Sequence, residues 1–248
     1  MHESHRYAAR LGMTRRQRRT AHAGTAPDAA PQPRSPLSSL FETAPSPDRA
    51  LGGAPSLLVM CTGNVCRSPL AALLLRSSLR DLGVVVHSAG THALVDEAMT
   101  PEALQLALAN GADADDAARH RGRLVQERML IEADLTLTMT REHRAFAVQL
   151  APSRLHRVFP VREFARLAAT MTDDELLDAA EGDGDNTRAR LGSTVIAISH
   201  RRGLTAGGTD EDDVIDPYRR SAEVYERSAR ELVPALAQVE RVVRLALS

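Results

Sequence analysis

The chain holds two cysteines, Cys61 and Cys66, within the run Cys61-Thr62-Gly63-Asn64-Val65-Cys66-Arg67-Ser68-Pro69. One pair of thiols is no disulfide scaffold, and without a histidine pair at ligand spacing it makes a poor zinc site. The neighbouring residues suggest a different chemistry. Gly63 tolerates a positive φ and Asn64 is the next best residue for one, so the chain can turn back tightly here. Such a turn aims successive backbone N–H groups into one anion-attracting concavity. A helix beginning just beyond it adds unpaired N–H groups and the positive end of its dipole. Ser68 stands where a helix cap is wanted and Pro69 where a first helical residue is wanted. Arg67 brings a fork of donors matched to two oxygens of a phosphate.

Cys61 lies at the base of this expected cradle. The thiolate is the reactive form of cysteine, and both the N–H groups and Arg67 favour it over the thiol. Its sulfur would sit beneath a bound phosphorus atom, placed for in-line attack. No lysine follows the glycine and Walker spacing is missing, which excludes a nucleotide P-loop. No cluster of metal ligands is visible in the sequence, so neither a metal nor another cofactor is expected.

The elements around the run must hold it in place. Leu57-Leu58-Val59-Met60 reads as a buried parallel strand leading into Cys61. Residues 70–82 read as a helix closed by Gly83, and 84–86 as a second strand. Helices are expected over 101–110, closed by Gly111, and over 126–133 and 141–150, the last ending before Pro152. Strands are expected over 135–139 and 157–159. A final helix from 222 to about 247 carries Tyr225, Leu232, Leu236, Val239 and Val243 as one stripe. Alternating strands and helices imply an α/β fold: three αβα layers around a doubly wound, four-stranded parallel sheet. Residues 168–213 fit this plan least well and read as an insertion containing helical pieces at 173–180 and 188–202.

Composition sets outer limits. Thirty-one basic residues, all arginine, nearly cancel 32 acidic ones, so no global charge points to nucleic acid or a membrane surface. No apolar run reaches the roughly 18 residues a spanning helix needs. Residues 1–55 are rich in proline, with a basic cluster at Arg15, Arg16, Arg18 and Arg19, and read as a disordered extension to a domain over 56–248. No apolar stretch of about 7 to 15 residues follows those arginines, so a secretory signal is not expected and a cytoplasmic location is.

The run 61–69 resembles the active-site loop of the low-molecular-weight protein tyrosine phosphatases, in a bacterial, actinobacterial-like branch. Its flanks are also similar to that family: Ser88-Ala89-Gly90-Thr91, Asp134 to Met139, and Asp216-Pro217-Tyr218, in the family's order. The resemblance covers about residues 56–167 and 214–248, and implies the phosphotyrosine phosphatase I-like fold. It implies that Cys61 is the nucleophile, Arg67 the phosphate clamp, and Asp216 the general acid and then base. Thr62, Gly63, Asn64, Val65, Cys66 and Ser68 would line the bound phosphate, with Ser68 assisting departure of the thiolate and Tyr218 walling the substrate ring. Ser88 and His120 would support the loop through Asn64, and Cys66 would shield the nucleophile through a reversible disulfide. The implied partner is a phosphotyrosine protein or peptide, with no nucleic acid or membrane; oligomeric state is left open. Two other activities use a similar loop. An arsenate reductase relaying its disulfide through protein thiols would need cysteines this chain lacks, which leaves one coupled to a low-molecular-weight thiol. A protein-arginine phosphatase would carry threonine where Val65 stands, and loss of that hydroxyl favours phosphotyrosine.

Overall fold

The computed structural model describes residues 53–181, 186–204 and 210–248. Four strands, β1 (Ser56–Cys61), β2 (Val85–Gly90), β3 (Leu135–Thr138) and β4 (Val158–Pro160), form one sheet in the order β2-β1-β3-β4. Every pairing is parallel, and β1 is central, with Cys61 opposite Gly90 at its C-terminal end. The extension read over 1–55 falls outside the described residues except for 53–55.

The side-chain alternation of β1 divides the core into two layers. Leu57, Val59 and Cys61 face one helical layer, which includes α1 (Arg67–Ser78), α2 (Pro101–Ala109) and α9 (Ala222–Leu247). Leu58 and Met60 face the other, built on α4 (Glu127–Glu132) and α5 (Arg141–Leu150). Helix α1 is buried along Leu70 to Leu75 because it lies between the sheet and α9. The stripe expected on α9 is buried at Tyr225, Leu232, Leu236, Val239 and Val243. The fold is therefore the three-layer α/β arrangement. Among the described residues, no helix is long and apolar enough to cross a membrane.

Two helices escaped the sequence reading. Helix α3 (Ala114–Arg119) is a six-residue piece capped by Asp113, whose carboxylate accepts from the Asp116 N–H. Helix α6 (Val161–Ala168) follows β4 directly, with Val161, Phe164, Leu167 and Ala168 buried at helical spacing. The segment read as an insertion carries α7 (Asp173–Ala180) and α8 (Thr187–His200), and their buried Leu176, Leu191, Val195 and Ile198 join the same core as α9. Arg188 of α8 fixes this pair to the sheet: its guanidinium reaches Asp134 at 2.9 Å, and Asp134 also accepts the Ser56 N–H at the start of β1.

Gly90 lets the loop after β1 sit on the sheet. A Cβ there would lie 2.3 Å from the Thr62 carbonyl oxygen and 3.1 Å from the Asn64 nitrogen, both backbone atoms that cannot yield cheaply. Gly90→Ala should therefore lower stability by about 2 kcal/mol or more, against less than about 0.5 for Gly53→Ala, where a Cβ meets open space. Urea unfolding of the two variants measures the contrast, and equal midpoints would show that the loop can move off the strand freely.

Candidate active site

The loop between β1 and α1 is held by its carbonyls. The Cys61, Thr62 and Gly63 oxygens accept from the Thr91, His92 and Leu94 N–H groups at 2.9, 3.0 and 3.0 Å. His120 Nε2–H donates to the Asn64 oxygen at 2.8 Å, and the Thr100 N–H donates to the Val65 oxygen at 3.0 Å. The Cys66 oxygen accepts from Leu70 N–H, inside α1. Because N–H and C=O point oppositely across a trans peptide, outward carbonyls turn the loop's N–H groups inward. The Asn64 N–H reaches the Cys61 Sγ at 3.3 Å, which puts the sulfur on the concave side.

Asn64 organises the loop from behind. It is fully buried and adopts φ 55°, the left-handed region that asparagine tolerates. Gly63 does not have a positive φ, so the tight turn falls on Asn64 rather than on the glycine. The Asn64 amide donates to Ser68 Oγ at 2.9 Å and its oxygen accepts the Arg123 N–H at 3.0 Å. Ser68 Oγ lies 2.9 Å from the Cys61 Sγ. Since the hydroxyl oxygen accepts from Asn64, its proton is available to the sulfur.

These contacts revise two expectations. Ser68 does not cap α1; the helix begins at Arg67 with Cys66 at the cap position and no side-chain cap bond. The serine is turned inward toward sulfur instead. Ser88 does not bond Asn64 either. Its carbonyl accepts Arg123 Nε at 2.8 Å, so it acts through Arg123, while His120 reaches the Asn64 backbone.

Arg67 is only 5% exposed. One terminal nitrogen donates to the Val214 carbonyl at 3.0 Å and the other meets Asp216 Oδ2 at 2.7 Å. Its Nε is buried with no hydrogen-bond partner among the described residues. Asp216, by contrast, has a half-exposed side chain, and its other oxygen accepts the Tyr218 N–H at 3.1 Å. Arg219 lies over the Tyr218 ring, 5.1 Å from its centroid. A cavity of about 130 Å³ brings Cys61, Thr62, Gly63, Val65, Cys66 and Arg67 together with Asp216 and Tyr218. His92 and Leu94, from the segment after β2, complete its wall and were not anticipated.

The Cys66 sulfur faces Thr100 Oγ1 at 3.5 Å and the Tyr225 hydroxyl at 3.6 Å. Burial pushes its thiol up from the ordinary value, and burial pushes Tyr225 up to about 12. Among the described residues, no group of three or more His, Cys, Asp or Glu side chains could hold a metal ion.

His143 is the largest omission of the sequence reading. It is 6% exposed, with Nε2 2.9 Å from Thr62 Oγ1 and Nδ1 2.7 Å from Thr140 Oγ1. The available signal was Thr140, whose hydroxyl caps α5 by accepting the His143 N–H. Burial, and next the charge of Arg67, push His143 down to about 4. Between that value and the ordinary 6.5 the unfolded chain binds a proton that the folded one refuses, so stability falls as pH is lowered through this window. His143→Asn should lose less stability than the unmodified protein between pH 6.5 and 4 in urea titrations. Parallel pH profiles for the two would remove the neutral, buried imidazole from the account.

Comparison with known proteins agrees with this geometry. The family model described as low molecular weight phosphotyrosine protein phosphatase matches residues 56–196. The low molecular weight protein-tyrosine-phosphatase Etp of Escherichia coli K12 is 41% identical over 97 residues, 39% of this chain and 62% of Etp. The chain thus spans about three fifths of the length of that relative. The protein-arginine-phosphatase of Bacillus subtilis is 30% identical over 131 residues, 52% of this chain and 82% of the relative. Among solved structures, the low molecular weight protein tyrosine phosphatase from T. tengcongensis superposes with a TM-score of 0.52 at 25% identity, covering 75% of this chain and 97% of that one. A mutant of YwlE from Bacillus subtilis shares the fold, with a TM-score of 0.51 at 23% identity over 77% of this chain and 99% of its own. With more than half of its 248 residues matched, the chain belongs to the low molecular weight phosphotyrosine protein phosphatase family.

Proposed function

We propose that the protein is a phosphatase that removes phosphate from phosphotyrosine in proteins through a phosphocysteine intermediate. The observation that carries this reading is the Cys61 sulfur, seated within reach of an inward N–H and the Ser68 hydroxyl, on a loop whose carbonyls all bond outward. Those donors, with Arg67, would receive the transferred phosphoryl oxygens. The buried Nε of Arg67 is a donor that a phosphate oxygen would satisfy.

In the first step the thiolate attacks phosphorus; the S–P bond forms as the bond to the tyrosyl oxygen breaks, and that oxygen takes a proton from Asp216. In the second, the Asp216 carboxylate accepts a proton from water, whose oxygen bonds to phosphorus. The S–P electron pair returns to sulfur, where the Ser68 hydroxyl stabilises it, and inorganic phosphate departs. The half-exposed carboxylate of Asp216, held at the rim between Arg67 and the Tyr218 N–H, is placed to serve both steps. Tyr218 and Leu94 supply apolar wall for an aromatic ring, and Thr62, Gly63, Val65 and Cys66 line the cavity around the phosphate, with the buried Asn64 behind them rather than on its wall. Cys66, with its thiol raised by burial, serves as a reserve partner for an oxidised Cys61 rather than a second nucleophile. A thiolate nucleophile of this kind works in a reducing compartment, and we assign the enzyme to the cytoplasm.

A second reading, phosphoarginine hydrolysis, draws on the Bacillus subtilis relative. Val65 weighs against it, because a buried valine offers a phosphorylated guanidinium no hydrogen-bonding group. Initial rates on phosphotyrosine and phosphoarginine peptides should favour phosphotyrosine, and the reverse order would replace the assignment. Cys61→Ser should reduce hydrolysis to background while retaining oxyanion binding; turnover surviving in that variant refutes the thiolate mechanism. Asp216→Ala should slow the reaction by about 10² to 10⁴, most for poor leaving groups. A uniform loss across leaving groups would instead mark a structural role.

A further inference from the structure

Behind the catalytic loop lies a second cavity, of about 460 Å³, more than three times the volume of the first. It is lined by four arginines, Arg76, Arg119, Arg121 and Arg123, with His87 and His120 between them. Only Asp96 and Asp116 oppose this charge, and Asp116 is already paired with Arg119 at 2.6 Å. Arg76 and Arg123 have no carboxylate within ion-pair distance among the described residues. Each spends its Nε on a strand carbonyl, at Val86 and Ser88 respectively, 2.8 Å away in both cases. Their remaining guanidinium nitrogens have no hydrogen bond among the described residues. Burial, and next the charges of Arg123 and Arg76, keep His87 below its ordinary value, so it adds little repulsion.

Holding two unpaired guanidinium groups beside one another costs free energy that packing alone does not require, since either could pair with an acid placed where His87 stands. The arrangement makes sense as a receptor for negative charge with planar, forked geometry. Two residues of its wall also touch the catalytic loop: His120 donates to the Asn64 carbonyl and the Arg123 N–H donates to the Asn64 side chain. We propose that this cavity is a second oxyanion site, taking the phosphate group of a small phosphorylated molecule, and that its occupancy is felt by the catalytic loop through His120 and Arg123. The volume exceeds that of the catalytic pocket, which leaves room for an organic moiety beside the phosphate. Binding here stands apart from the phosphatase reading; only the coupling rests on it.

Calorimetric titration of Cys61→Ser with inorganic phosphate should show two sites. Adding Arg76→Gln should remove one, or weaken it about 10- to 100-fold, as expected for loss of a charge-assisted contact. Adding Arg67→Ala should remove the other. Two sites, or one, unchanged by Arg76→Gln would overturn the proposal. A single site sensitive to Arg76→Gln but not to Arg67→Ala would sustain it and undermine the catalytic cradle instead. Should Arg76→Gln lose its thermal transition, Arg119→Gln takes its place, since that side chain is 69% exposed; it should weaken the same site several-fold, and no change there would overturn the proposal. Titration with a nucleoside monophosphate separates the two phosphate sources: tighter binding than inorganic phosphate at the Arg76-dependent site identifies an organic phosphate, and equal or weaker binding identifies the free ion. The coupling is read from hydrolysis of an aryl phosphate by the unmutated enzyme and by Arg76→Gln. A response to the better ligand in the first that disappears in the second supports it, and identical responses abolish it.

Discussion

The site depends on where the carbonyls of residues 61–66 find their hydrogen bonds. A loop of six peptides folded into a bowl would leave those oxygens unpaired unless neighbouring chain supplied donors. The segment after β2 supplies four, from Thr91, His92, Leu94 and Thr100, and His120 supplies a fifth. Each bond is worth about 1 kcal/mol net, but losing one would strand a buried acceptor at a cost of about 1 to 3. The direction matters more than the sum. With the oxygens committed outward, the loop's N–H groups are turned inward, and that of Asn64 reaches the Cys61 sulfur.

Asn64 joins this outer belt to the sulfur. Its left-handed backbone makes the turn, its carbonyl faces His120, its side chain receives the Arg123 N–H, and its amide steers the Ser68 hydroxyl toward Sγ. No other residue type supplies that combination of backbone tolerance, donor and acceptor. Aspartate would lose the donor to Ser68 and set a negative charge behind Cys61; glycine would keep the turn and lose both side-chain bonds.

Much of this was legible in the sequence because the loop concentrates its chemistry in nine consecutive residues, and because Leu57 to Met60 and the stripe on α9 carry clear periodicities. The four-stranded parallel sheet followed from strands alternating with helices. What stayed hidden depends on approach through space. Nothing near Gly90 in the chain says that its missing Cβ makes way for the Thr62 carbonyl. His143 lies 81 residues from Thr62, which its Nε2 touches, on a helix whose pattern treats it as one polar position among several. The capping role read for Ser68 failed because serine ahead of proline looks like a cap, whereas packing against Asn64 and Cys61 turned the side chain inward. Helix α3 failed for a different reason: six residues with two aspartates in the first turn carry too little periodicity to register.

The distribution of charge around the loop follows the same logic as its backbone. Arg67 is buried, yet the carboxylate beside it, Asp216, is half-exposed on the rim. A buried carboxylate partner would hold the guanidinium in a closed, desolvated pair. A partner on the rim does not: it meets the guanidinium with one oxygen while half of its side chain stays open to solvent. Its position is set by the Val214 carbonyl, which binds Arg67, and by the Tyr218 N–H, which binds its own second oxygen. Val214 in turn donates its N–H to the Met139 carbonyl, just past the end of β3. Asp216 is thereby tied to the same sheet that carries Cys61, so the two side chains share one frame.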